Sequence, residues 1–185
     1  MAELRGNLTS LRPLRDDDAP YIFRWLNNPQ VMQYWGGLSE TLTEEESHEW
    51  IRDHSGGEPG VEAFVIQEKG TPVGFIELSG QPDDANYRHM VELDICIGEP
   101  DRWNTGLGTD ALKALMRHLF TERGILRIFL QPRVSNARAV RVYEKCGFVK
   151  EGVLRDAEMI DGHLQDCVMM AALRDEWLAR FGTPR

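Results

Sequence analysis

The sequence predicts a mixed α/β fold in which helices pack against one sheet. Apolar residues recur at helical spacing over residues 107–120, whereas shorter apolar runs separated by turn signals are typical of strands. Strand-rich segments come first, a β–α–β–α succession follows, and two strands come last. Because each helix must bury an apolar stripe, this order predicts helices packed on a sheet, in one domain over residues 1–185.

The first half predicts two helices with clear boundary signals. The acidic run 16–18 is suited to cap the first helix, and residues 27–29, Asn-Asn-Pro, end it. Thr43 and Glu46 form a capping-box pattern that begins the second helix. The elements predicted for this half are a strand at 9–14, helices through 21–26 and 50–51, and strands at 63–68 and 72–79 joined by the turn 69–71.

The second half predicts a long amphipathic helix and a C-terminal hairpin. Gly147 is suited to end a helix in the left-handed conformation, and Asp161-Gly162 is a hairpin signal. The elements predicted here are strands at 90–98, 127–130, 148–154 and 163–171, and helices at 107–120 and 135–146.

Composition and charge exclude several classes of protein. A formal net charge of -9 disfavours nucleic-acid binding, which needs a basic surface. No apolar run reaches the roughly 18 residues of a membrane span, and the first fourteen residues lack an apolar signal core. Cys96, Cys146 and Cys167 lack metal-ligand or CxxC spacing, and the five histidines show no paired spacing. We therefore expect a cytoplasmic protein with no membrane, nucleic-acid or metal partner.

A strand end, two closely spaced glycines and a helix start follow one another between residues 97 and 109. Gly106 and Gly108 allow backbone to approach a ligand closely, and the free N–H groups of a helix N-terminus bind phosphate. The spacing matches neither a Rossmann nor a Walker motif, so alone it fits a plain strand-to-helix turn equally well. Asn136 and Tyr143 lie seven residues apart, on nearly the same helix face. Each also fits an ordinary structural role, as a helix N-cap and a core tyrosine.

Taken together, these features resemble the acetyl-CoA site of the GNAT superfamily of N-acetyltransferases, in the segments RWNTGLGTDAL and SNARAVRVYEKCGF. The resemblance covers roughly residues 8–170 and implies a mostly antiparallel sheet that splays where acetyl-CoA enters. It also implies that Asn136 bonds the pantetheine region and that Tyr143 protonates the departing thiolate. The other cofactor residues that it implies are the pantetheine-facing Ile95 and Ile97 and the phosphate-binding Asn104, Thr105, Gly106, Gly108 and Thr109.

Within the superfamily, three segments are similar to aminoglycoside 6′-N-acetyltransferases: WLNNPQVMQYWGG, LDICIGEPDRWNTGLGT and DGHLQDCVMM. This similarity places Asp94 at the catalytic aspartate and implies a small polycationic amine as substrate, with antibiotic resistance as the result. The chain departs from the pattern at Trp103, where Gln or Arg is usual, at Gln131, often an aspartate, and at residues 80–90, where some members carry an insertion. The sister branch, which acetylates ribosomal-protein N-termini or polyamines, is the alternative. The joint presence of Asp94, Asn136 and Tyr143 speaks against a non-catalytic coenzyme-binding module.

The acceptor site is predicted from acidic and aromatic residues. Glu92, Asp94 and Cys96 share one face of strand 90–98, beside the glycine loop. An acidic face there favours a site that attracts a cationic substrate, although an edge strand with a wet polar face is the structural alternative. The acceptor contacts that we predict are Tyr34, Trp35, Glu77, Glu92 and Asp166. The sequence leaves the identity of the acceptor and the oligomeric state open.

Overall fold

A computed structural model describes residues 3–39, 41–57, 60–80 and 84–182. Across these residues, eight strands form one sheet in the order β1-β2-β3-β4-β5-β6-β8-β7. Within these residues β5 and β6 pair in parallel, whereas every other neighbouring pair is antiparallel. The strands are β1 (Leu4–Arg5), β2 (Ser10–Pro13), β3 (Val61–Glu68), β4 (Thr71–Gly80), β5 (Met90–Ile97), β6 (Arg127–Leu130), β7 (Val149–Ile160) and β8 (His163–Leu173).

In the part of the chain that the structure describes, six α-helices cover the two faces of this sheet, which confirms the predicted mixed α/β fold. One core joins the sheet to α1 and α3, and the other joins it to α4, α5 and α6. The helices are α1 (Ala19–Leu26), α2 (Pro29–Met32), α3 (Glu44–Arg52), α4 (Leu107–Thr121), α5 (Ala137–Cys146) and α6 (Arg174–Phe181). The two faces matter for function, because a ligand that reaches both must pass through the sheet.

Most boundary signals act as predicted. The amide of Glu46 donates to the Thr43 hydroxyl at 3.2 Å, and the amide of Thr43 donates to the Glu46 carboxylate at 2.7 Å, so the capping box at α3 is confirmed. Gly147 ends α5 with a φ of 99°. Asp18 does not cap α1 with its side chain, because its carboxylate accepts hydrogen bonds from Arg12 and from the Arg15 amide.

Among the strands and α-helices of the described residues, β1, α2 and α6 were not predicted. Pro29 ends α1 but also occupies the first turn of α2, where its missing N–H is no loss, with Asn28 as the N-cap. Strand β7 runs beyond the predicted residue 154 to Ile160, although most of its side chains are exposed and give no alternating pattern. Within the 80–90 segment, residues 81–83 lie outside the described residues.

Strand β5 is an inner strand, so the edge-strand interpretation of its acidic face was wrong. It pairs with β6 only over Met90–Glu92, and in the described chain no strand pairs with its remaining residues on that side. Because the Gly98 amide donates to the Val73 carbonyl at 3.0 Å and hydrogen-bonding directions alternate along an antiparallel pair, the backbone N–H groups of Ile95 and Ile97 point away from β4. The sheet therefore splays as predicted, with free backbone groups facing the opening.

Candidate active site

A cleft of about 610 Å³ passes through the opening between β5 and β6. Side chains from both faces of the sheet line it, so it connects the region of α4 and α5 with the region of α1 to α3. The predicted site residues that line the cleft are Tyr34, Trp35, Glu77, Asp94, Ile95, Ile97, Asn104, Gly106, Gly108, Thr109, Asn136 and Tyr143. The structure thus brings twelve of the predicted residues together from segments far apart in the chain.

Three predicted residues are not part of the lining. Thr105 is exposed, and its hydroxyl donates to the Arg102 carbonyl at 2.6 Å. Glu92 accepts a hydrogen bond from Gln131 at 2.9 Å and does not line the cleft. Asp166 is exposed and accepts a hydrogen bond from the Asp156 amide at 2.9 Å, so it supports an irregular part of β7 and does not reach the cleft.

The cofactor half of the cleft is formed by the glycine loop and the N-terminus of α4. Asn104 and Gly106 adopt positive φ values of 63° and 93°, which turn the chain sharply into the helix. The first helical hydrogen bond runs from Asp110 to Gly106, and no side chain caps the helix in the described chain. The amides of Leu107 to Thr109 are therefore unpaired and suited to bind phosphate oxygens. The backbone thus fits the cofactor that the sequence implies.

Four basic residues line the cleft although the chain is acidic overall: Arg102, Arg133, Arg138 and Lys145. The Arg138 guanidinium lies 3.8 Å from the centroid of the Trp103 ring and 5.2 Å from that of Tyr34. Trp103 is itself anchored, because its indole N–H donates to the Ile97 carbonyl at 2.7 Å. Trp103, which stands where Gln or Arg is usual in the family, therefore supports the cationic side chain of Arg138.

Tyr143 and Asn136 come from the same helix and reach the same cleft. Asn136 is the N-cap of α5, accepting a hydrogen bond from the Ala139 amide at 3.1 Å, as its structural interpretation predicted. Tyr143 is 7% exposed, and within the described chain its hydroxyl has no hydrogen-bond partner. Burial, reinforced by nearby Asp94, raises the pKa of Tyr143 above its usual range. The phenol thus stays protonated at neutral pH.

Asp94 lies opposite Glu77 in the register of β4 and β5. Its side chain is open to the cleft, yet protein surrounds it on most sides. Burial, together with the negative charges of Glu92, Glu77 and Glu158, raises the pKa of Asp94 from 3.8 to about 7. Because its side chain is open to the cleft, Asp94 is accessible to a substrate. Because its pKa is about 7, Asp94 is suited to exchange a proton near neutral pH.

The acceptor half is bounded by a loop that follows α2 and is fixed by two charged residues. Buried Arg133 donates to the carbonyls of Gln33 at 2.9 Å and Trp35 at 2.7 Å, and to the Glu158 carboxylate at 2.8 Å. Asp161, in the turn between β7 and β8, accepts hydrogen bonds from Leu38 and Ser39. These contacts attach the loop to the β7–β8 hairpin.

Sequence reasoning missed Arg133, Arg138 and Glu158. Arg138 had a signal, since it follows Asn136 by two residues inside the recognised motif. Arg133 and Glu158 had none, because only the fold brings them within hydrogen-bond distance of each other. In the described part of the chain, no three His, Cys, Asp or Glu residues are grouped to hold a metal ion. None of the helices described is long and apolar enough to cross a bilayer.

Comparison with known proteins agrees with this geometry. Residues 9–149 match the acetyltransferase (GNAT) domain family. The chain is 30% identical to the spermidine N(1)-acetyltransferase of Escherichia coli over 94% of this chain and 90% of the relative. It is 25% identical to the aminoglycoside N(6′)-acetyltransferase type 1 of Klebsiella pneumoniae over 78% of this chain and 76% of the relative. The fold matches AAC(6′)-Ib in complex with ribostamycin and coenzyme A, with a TM-score of 0.79, 23% identity, and coverage of 97% of this chain and 100% of the other.

A splayed sheet with a glycine loop at the opening defines a coenzyme A-dependent acyltransferase class. The chain belongs to the GNAT acetyltransferase family. It is an N-acetyltransferase that uses acetyl-CoA, and its relatives act on small amines.

Proposed function

We propose that this enzyme acetylates the 6′-amine of an aminoglycoside, with residues 1–185 forming one acetyltransferase domain. One observation carries the choice of acceptor. Two segments that resemble aminoglycoside enzymes, residues 25–37 and 161–170, are far apart in the chain. Arg133, Glu158 and Asp161 join the loop after α2 to the β7–β8 hairpin, at the acceptor half of the cleft.

The charge of this half suits a substrate with several ammonium groups. Glu77, Asp94 and Glu158 line it from three different strands, and Tyr34 and Trp35 add aromatic surface. Carboxylates in a cleft attract a polycation over about one Debye length, near 8 Å at physiological salt. A peptide N-terminus presents one ammonium and gains less from such a field.

The proposed chemistry divides two proton transfers between two residues. Bound acetyl-CoA would supply the thioester carbonyl that the amine attacks. Asp94 accepts the proton that the amine loses as the N–C bond forms, since its raised pKa matches a base working near neutral pH. Tyr143 donates its proton to the sulfur as the C–S bond breaks. The amides of Ile95 and Ile97, which face the opening, are available to the carbonyl and the pantetheine arm.

The cofactor would be held mainly by backbone groups. The amides at the start of α4, including those of Gly108 and Thr109, would bind the pyrophosphate, with Asn104, Thr105 and Gly106 shaping the loop. Arg102, Arg138 and Lys145 would add positive charge near a loop that carries Trp103 where Gln or Arg is usual. Asn136 would contact the pantetheine region with the amide group that its N-cap bond leaves free.

A second candidate is a polyamine acetyltransferase. The 30% identity to a spermidine enzyme over nearly the whole chain favours it, and a polyamine also carries several ammonium groups. Both functions use the same cofactor half and the same proton transfers. They differ in whether the acceptor half must fit rigid sugar rings or a flexible chain.

Thiol release from acetyl-CoA distinguishes these acceptors. The assay compares kanamycin, tobramycin, an aminoglycoside with a hydroxyl in place of the 6′-amine, spermidine and N-terminal peptides. We expect the highest kcat/KM with the 6′-amino compounds, and binding without acetylation for the hydroxyl analogue. A higher kcat/KM for spermidine or for a peptide would overturn the aminoglycoside assignment, and acetylation of the analogue would overturn the 6′ position.

We also propose that the enzyme acts in the cytoplasm and confers aminoglycoside resistance. Its three cysteines are free and buried, in agreement with a reducing compartment. Expression in a susceptible bacterium should raise the inhibitory concentration of tobramycin, and expression of Asp94→Asn should not. Equal protection by both proteins would contradict resistance by acetylation.

A further inference from the structure

His54 is held in a fixed orientation beside the acceptor half, although no predicted role includes it. It lies in the turn Asp53–Gly57 after α3, and its ring stacks on Trp50 with centroids 4.0 Å apart and planes at 15°. Its Nδ1 lies 2.7 Å from the Trp50 carbonyl oxygen, and its Nε2 lies 3.3 Å from Oε2 of Glu77. Only 18% of the side chain is exposed, so the ring is packed as well as bonded.

These two contacts require a proton between His54 and Glu77. A carbonyl oxygen can only accept, so the Nδ1 atom must carry hydrogen. In a neutral ring the Nε2 atom would then present a lone pair to a carboxylate oxygen, which is repulsive. The contact is favourable as imidazolium with carboxylate, or as imidazole with carboxylic acid. In both forms the pair has no net charge.

The charge state of this pair acts directly on Asp94. Glu77 lies opposite Asp94 in the β4–β5 register, on the same face of the sheet. Its negative charge is one of the causes that raise the pKa of Asp94, with Glu92 and Glu158 as the other acidic neighbours. Arg133 is bound to Glu158, and the negative charge of Asp53 also raises the pKa of His54.

We propose that His54 is a positioning residue for acetyl transfer, which shares a proton with Glu77 and so keeps Glu77 from placing an uncompensated negative charge beside Asp94. His54 thereby sets the pH at which Asp94 becomes a base. The role of His54 rests on the proposed role of Asp94. Burial by itself lowers the pKa of His54. The contacts with Glu77 and Trp50 outweigh burial, so the pKa of His54 is raised above its usual value and the shared proton is stable.

The test is the pH dependence of kcat/KM with whichever amine the enzyme accepts best. In His54→Gln a side-chain amide can still donate to Glu77 but carries no titratable proton, so the acid limb of the profile should move to higher pH by about one unit. In His54→Gln/Glu77→Gln the negative charge is gone, so the acid limb of kcat/KM should return to its wild-type pH. This holds even if the maximum value of kcat/KM is lower. His48→Gln is the matched control, because His48 is on α3 and bonds Asp16 at 2.7 Å at the surface. Its profile should not move.

Two outcomes separate the possible failures. An unmoved acid limb in His54→Gln, with Asp94→Asn inactive, overturns the role of His54 and leaves Asp94 as the base. Full activity of Asp94→Asn with an unmoved limb overturns both. A histidine titration by NMR needs no activity: the midpoint of His54 should fall by about one pH unit in Glu77→Gln, and an unchanged midpoint would contradict the shared proton.

Discussion

The two halves of the cleft are built in opposite ways. The cofactor half is built around one contiguous loop, residues 103–109, whose binding groups are mostly backbone amides at the start of α4, with side chains of α5 beside it. The acceptor half consists of side chains from β4, β5, β7 and the loop after α2, which meet only in the folded chain. A binding site made of backbone amides needs glycine at fixed positions, so it produces a short sequence motif. A binding site made of side chains from distant segments can vary with the substrate, so it produces no sequence motif of comparable length.

The halves also differ in charge. Arg102 and Lys145 belong to the cofactor half, whereas Glu77 and Asp94 belong to the acceptor half. Arg138 lies on Trp103 and Tyr34, where the two halves meet. The positive charge of Arg133 in the acceptor half is paired with Glu158. Phosphates and ammonium groups can therefore enter one cleft from two sides without competing for the same residues. If this division is correct, substitutions should affect one substrate and spare the other.

Gly108→Asp should give the largest effect and should be confined to the cofactor half. A Cβ at Gly108 would lie 3.6 Å from Cγ1 of Ile97, an ordinary contact, so the fold should be retained. A carboxylate there would face the phosphates, and we expect acetyl-CoA affinity to fall by about 100-fold or more. Calorimetry measures this, with Gly108→Ala as the control that adds the Cβ without charge. Wild-type affinity in the aspartate variant would place the phosphates elsewhere.

Tyr143→Phe removes the proposed proton donor, which lies where the two halves of the cleft meet. Removing the hydroxyl should lower kcat by about 10- to 1000-fold, the range for proton-transfer groups, while acetyl-CoA and acceptor still bind. Steady-state kinetics with both substrates saturating measures this. Tyr87→Phe, at an exposed tyrosine, is the matched control and should keep full kcat. An equal, small change of kcat in both variants would show that Tyr143 takes no part in the proton transfer.

Arg133→Met should weaken the acceptor half alone. The variant loses hydrogen bonds to two loop carbonyls and to Glu158, so the wall carrying Trp35 is released. We expect the acceptor KM to rise by about 10-fold with the acetyl-CoA KM unchanged, and the free energy of unfolding to fall by about 2 kcal/mol. Arg155→Met, at an exposed arginine of β7, should change neither. A rise in both KM values would show that the two halves are not independent.

Asp94→Asn should make the protein more stable at alkaline pH. The folded pKa of Asp94 lies above its unfolded value, so its ionisation opposes folding. This penalty is absent below about pH 3, grows as the pH rises through 3.8, and is complete above about pH 7. Allowing for water in the cleft, we expect Asp94→Asn to gain about 1 kcal/mol over the wild type at pH 8 and almost nothing at about pH 3. Urea unfolding at the two pH values measures this difference. An equal change at both would mean that Asp94 has an ordinary pKa.

The same contrast explains what the sequence predicts well. Thr43 with Glu46, Gly106 with Gly108, and Gly147 act through residues next to them, so their roles follow from local chemistry. The acceptor half depends on contacts across the fold, such as those of Arg133. In the DGHLQD segment, Asp161 contacts the acceptor loop through Leu38 and Ser39, whereas Asp166, which we had predicted, bonds Asp156. Two aspartates of one short motif are distinguished only by the irregular hairpin that carries them.

Whether the acceptor half supplies the base is decided by the turnover of Asp94→Asn with both substrates saturating. Asparagine has nearly the same shape as aspartate but cannot take a proton. We expect kcat to fall by about 100-fold or more, with acetyl-CoA affinity unchanged by calorimetry. Wild-type kcat in this variant would show that Asp94 is not the base and would make Glu92, which is bonded to Gln131, the next residue to test.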